Sequence, residues 1–83
     1  ADPAIFGNYL ATEEDRRALR EGVRIARKVA AQPALSRYVS GEYDPGESVQ
    51  TDAEIDSWIA ANGETIYHPV GTCRMGVAGD PMA

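Results

Sequence analysis

Apolar and polar positions recur with a helical period from residue 13 to about residue 31. At about 100° per residue, Ala18, Leu19, Gly22, Val23, Ile25, Ala26, Val29 and Ala30 gather on one side. Arg16, Arg17, Arg20, Arg24, Arg27 and Lys28 gather on the other. The pattern predicts a surface helix with a broad apolar face. Thr12 is its N-cap, and Glu13, Glu14 and Asp15 suit the positive end of the helix dipole. Gln32-Pro33 ends it. The bases read as a solvated face, with Arg17–Glu21 and nearby Glu14 as local partners, rather than as an anion site.

A second helix is predicted over residues 52–62. Thr51 with Glu54 three residues on fits a capping box. Ile55, Trp58 and Ile59 then face the core together, with Trp58 as an anchor. Asn62-Gly63 is a stop signal. Residues 1–10 read as irregular or extended, and 33–39 as a short helical turn. Gly41, Asp44, Pro45 and Gly46 mark a loop. Residues 64–67 should be extended, and Pro69 biases His68 toward the same geometry. The expected fold class is an α+β fragment: two amphipathic helices plus extended segments.

Composition narrows the function classes. With 83 residues the chain is at most one small domain. The hydrophobic share of 43% is ordinary for a folded protein. A net charge of −5 disfavours nucleic acid or an anionic membrane as partner. The single cysteine, Cys73, cannot pair within the chain, which favours a reducing, cytoplasmic setting. No apolar run approaches the roughly 20 residues that span a bilayer. The chain opens on Ala1-Asp2-Pro3 and closes on Asp80-Pro81-Met82-Ala83. Both ends read as cuts through a longer polypeptide.

Candidate chemistry is concentrated in residues 66–76, which hold the one histidine and the one cysteine. An imidazole with an ordinary pKa of about 6.5 can take up and return a proton near neutral pH. Gly71 and Gly76 would let the backbone turn and approach another surface. By residue type alone, a lone histidine is more often structural than catalytic. His68 and Cys73 provide too few ligands for a zinc site, so no metal is expected. A Cys–His nucleophile pair is conceivable from types, but five residues apart the side chains need not meet. No G-x-G-x-x-G or phosphate-loop pattern occurs, so nothing here can hold a dinucleotide by itself.

The run Glu64-Thr65-Ile66-Tyr67-His68-Pro69-Val70-Gly71-Thr72-Cys73-Arg74-Met75-Gly76 resembles the C-terminal signature of the glucose–methanol–choline (GMC) flavoprotein oxidoreductases, in the choline-dehydrogenase-like branch. Asn8-Tyr9-Leu10, residues 12–31, Pro33-Ala34-Leu35, the start of the second helix and Asp80-Pro81-Met82-Ala83 are similar to that branch as well. The resemblance implies part of the substrate-binding, C-terminal domain of a larger α/β flavoprotein. It implies FAD held by an N-terminal region not contained in this chain. It implies oxidation of a primary alcohol, such as choline or a similar small alcohol, by hydride transfer to flavin. His68 would be the active-site base and Tyr67 a pocket-lining, substrate-binding residue. The family's second catalytic residue, an Asn or His further along, falls outside these residues. The chain alone is therefore expected to be inactive and to hold no FAD. The alternative is a non-catalytic truncated fragment acting as a small helical association module. Some relatives put the same scaffold to lyase or decarboxylase use.

Overall fold

The computed structural model describes residues 2–71 and 73–83. Three helices follow one another: α1 (Glu13–Ala30), α2 (Pro33–Ser36) and α3 (Asp52–Asn62). The Thr12 hydroxyl accepts the backbone N–H of Asp15 at 3.1 Å and starts α1. The residue after the last turn, Ala31, donates its N–H to Arg27. Pro33 opens α2, where its missing N–H costs nothing. At α3 the capping box is complete: Glu54 N–H donates to Thr51 Oγ1, and Thr51 N–H donates to the Glu54 carboxylate. Gly63 stops α3 with ordinary, negative φ. A Cβ there would lie 2.7 Å from the Ile59 carbonyl oxygen, so close approach is what requires the glycine.

The α+β class is met only in its helical half. Among the described residues there is no strand. Residues 64–66 and 68–70 carry no helix, but no second extended segment runs alongside to form a ladder with them. Helix α1 packs on both α2 and α3.

Packing departs from the reading of Trp58 as a core anchor and of the basic side of α1 as solvated. Among the described residues the buried side chains are Ile55, 0% exposed, Ile59, 6% exposed, and Arg20, 7% exposed. Trp58, expected as the anchor, is half-buried, and its indole N–H donates to Asp44 Oδ1 at 2.9 Å. The basic side of α1 is not a solvated face. Arg20 donates to Asp56 at 2.9 and 3.1 Å and to Glu13. Arg24 pairs with Asp52, and Arg27 pairs with Glu42 through Nε at 2.8 Å and Nη2 at 3.0 Å. Arg20 thus meets Asp56 and Arg24 meets Asp52, so the order reverses and α3 runs antiparallel to α1. Each Arg–carboxylate hydrogen bond lowers the pKa of Glu13, Asp52 and Glu42 below the ordinary carboxylate range and raises that of Arg20 and Arg27.

Because α3 sits against the arginine stripe, the apolar arc of α1 is only partly covered: Val23 and Ala30 are half-buried, while other positions stand open. Ile25 is 59% exposed and Val29 51%. The radius of gyration is 17.9 Å, against about 12 Å for a compact domain of this length. The chain does not close a core around itself. No helix of the described residues is long and apolar enough to cross a membrane.

Candidate functional site

Residues after Gly63 leave the helical pair and carry the histidine motif. Thr72 lies outside the described residues, so the motif is described for 66–71 and 73–76. Every described residue of it is exposed, His68 and Cys73 among them. Tyr67 does not continue the extended run. Its φ is +63°, in the left-handed region, and its N–H donates to Thr65 Oγ1 at 3.0 Å. A bulky residue seldom takes this conformation, which costs on the order of 1–2 kcal/mol. The turn removes the simple alternation that would set Tyr67 and His68 on opposite sides of an extended segment. Gly71 follows with φ +87°, a second left-handed position where the absent Cβ avoids that cost.

Beyond Gly71 the chain folds back on itself. Arg74 Nη2 donates to both Asp80 carboxylate oxygens, at 2.9 and 3.2 Å, and its Nε donates to the Met82 carbonyl at 3.2 Å. Among the described residues no group of three or more His, Cys, Asp or Glu side chains could hold a metal ion. Two hollows flank α1. One is walled by Val23, Arg27, Val39, Glu42, Asp44 and Trp58, the other by Tyr9, Leu10, Leu19, Ile59 and Ala60. Neither is lined by a residue of 66–76. His68 and Tyr67 are therefore neighbours in sequence on an open arm and line neither of these hollows.

The family model for the GMC oxidoreductase C-terminal domain matches residues 1–83. The chain belongs to the GMC oxidoreductase family. Among its GMC relatives, the oxygen-dependent choline dehydrogenase of Vibrio vulnificus is 48% identical over 81 residues, which is 98% of this chain and 14% of the relative. The enzyme of the same name from Staphylococcus haemolyticus is also 48% identical over 81 residues, with the same coverage. Oxygen-dependent choline dehydrogenase 1 of Chromohalobacter salexigens is 42% identical over 83 residues, 100% of this chain and 15% of the relative. The chain thus spans about one-seventh of the length of the curated relatives it matches. No solved structure is a significant match.

GMC oxidoreductases generally use FAD. The residues of this chain do not fit it as a cradle. A dinucleotide needs a glycine-rich turn that lays its phosphates on a helix N-terminus. Here α1 opens on Glu13, Glu14 and Asp15, and α3 on Asp52 and Glu54. Carboxylates at those positions occupy the positive end of the dipole and repel phosphate. What the chain offers is one exposed imidazole on an arm leading away from two capped helices.

Two features of this region escaped the sequence. The left-handed turn at Tyr67 carries no local signature, because the residue is neither Gly nor Asn. The Arg74–Asp80 pair did carry one: opposite charges six residues apart across Gly76 and Gly79, a spacing that a folded-back loop can close.

Proposed function

We propose that this chain is the histidine-bearing segment of an FAD-dependent alcohol oxidoreductase acting on a primary alcohol such as choline. The observation that carries the reading is the exposure of His68 within a motif that the GMC family match covers end to end. The names of the relatives support choline as substrate and oxygen as electron acceptor. His68 accepts the proton of the substrate hydroxyl. Pro69 restricts the backbone that carries it. Tyr67, turned by its left-handed backbone and 76% exposed, lines the substrate side. The partly open apolar arc of α1 and the coverage of one-seventh of each relative support a partner: the remainder of the flavoprotein, which holds FAD.

In the flavoprotein that contains this segment, His68→Ala should lower turnover by roughly 10²- to 10⁴-fold, the usual worth of a general base. Turnover near the wild-type value would remove His68 from the reaction. The isolated chain should bind no FAD and turn over no alcohol. Purified chain carrying a stoichiometric flavin absorption band would overturn that part.

The partly uncovered face of α1 also supports a second reading, a helical module that only associates. It predicts that the purified chain self-associates with an affinity sensitive to Ile25→Asp. Sedimentation of both forms as monomers would exclude it.

A further inference from the structure

The arm that bears His68 leaves α3 at a fixed point and closes on itself downstream. Upstream, the Gly63 N–H donates to the Ile59 carbonyl at 2.7 Å and fixes the exit from α3. Downstream, Arg74 closes onto residues 80–82. Its guanidinium holds both oxygens of Asp80 and the Met82 carbonyl. Asp80 in turn accepts the Met82 N–H at 2.8 Å. The ring is drawn tight at Gly76, where a Cβ would lie 2.7 Å from Asp80 Oδ2. Asp80 is half-buried in this clasp while the motif around it is exposed.

Exposed ion pairs in water contribute little to stability, so the importance of the clasp is geometric. Every bond in it is local, within eight residues, and it can form without the helical pair. Between that exit and the clasp the backbone turns twice through the left-handed region, at Tyr67 and Gly71. The position of the imidazole then depends on the exit from α3 and on the shape that the clasp imposes on the chain beyond Gly71. A base must come within hydrogen-bond reach of its proton, and displacement by about 1 Å can cost 10²-fold in rate.

We infer that Arg74 and Asp80 are positioning residues for His68, holding the downstream end of its arm as one unit. This rests on the proposed role of His68 as base. The test is a double-mutant cycle in the full-length flavoprotein: Arg74→Ala, Asp80→Asn and both together, with flavin content and thermal midpoint measured alongside kcat and KM. Each single change should lower kcat by roughly 10- to 100-fold, leave KM within about 2-fold, and leave FAD bound. The double variant should be no slower than the slower single, because both changes open one clasp. Wild-type kcat in the single variants, a change confined to KM, or losses that multiply in the double would each overturn the inference. Asp80→Asn keeps the side chain's volume and decides the matter if Arg74→Ala does not retain flavin. His68→Ala measured in parallel separates the two ideas. Loss there with wild-type clasp variants removes the clasp alone, whereas wild-type activity there removes the base.

Discussion

The helical pair and the histidine arm handle their polar groups alike but differ in their apolar ones. In residues 12–62, caps and cross-helix ion pairs satisfy the polar groups, and Ile55 and Ile59 are buried. In residues 64–83, local hydrogen bonds hold a clasp, yet Ile66, Tyr67, Val70 and Met75 all stand exposed. Even the helical half leaves Leu19, Ile25 and Val29 of its longest apolar arc exposed. Polar groups find partners within this chain, across the helices in the pair and locally in the arm, whereas most large apolar side chains stay exposed. A segment with that imbalance keeps its secondary structure by itself and needs other protein to complete its core.

The comparison breaks most readily at α3. Ile55→Ala removes the one fully buried side chain among the described residues, and a loss of about 2–5 kcal/mol should abolish the α1–α3 contact. Circular dichroism of the chain should show the loss of helix. A helical signal equal to wild type would mean that Ile55 does not hold the pair.

Next comes acid. Glu13, Glu42 and Asp52 have carboxyls held below their ordinary values of 4.5, 4.5 and 3.8 by arginine partners. The folded state then binds fewer protons than the unfolded one between the lowered and the ordinary values. Stability from these pairs is fully present above about pH 4.5 and falls as pH drops through the lowered values. Helix unpacking monitored by amide chemical shifts should begin in that window, with α1 and α3 separating first. A titration that leaves the Arg20–Glu13 and Arg24–Asp52 contacts unchanged down to about pH 2 would contradict it.

A smaller effect tests the caps. Thr51→Ala should cost about 1 kcal/mol and fray the start of α3, read as faster hydrogen exchange at Glu54 and Ile55. The smallest effect sharpens the contrast between faces. Ile25→Asp should leave the helix content of the isolated chain nearly unchanged, because Ile25 touches no core there. The same change in the full-length flavoprotein should lower its yield of folded protein. Equal tolerance in both would show that the α1 arc is an ordinary surface.

The sequence carried the helix ends well, because caps are local: Thr12, Thr51 with Glu54, Pro33 and Gly63 each act within four residues. It carried the motif and the family as well, through a run long enough to be specific. It misassigned the basic face of α1. A helical wheel shows which residues share a side, but not which side a neighbour takes. Spacing held a clue that local pairing obscured: Arg20 and Arg24 are four apart, and so are Asp52 and Asp56, which fits two antiparallel helices pairing charge by charge. Trp58 was read as core from size and phase. Its indole N–H instead found Asp44 across a loop, a partner that no helical period reveals. At the site, residue types made His68 a candidate base, while the turn at Tyr67 depends on backbone geometry that side-chain chemistry does not encode.

Chemical rescue tests the role of His68 most directly. In the flavoprotein containing this segment, His68→Ala leaves a space the size of the lost ring. Added imidazole should restore turnover in a concentration-dependent way, with no effect on the wild-type protein. A variant that turns over alcohol at the wild-type rate without imidazole would contradict the assignment of the proton acceptor to His68.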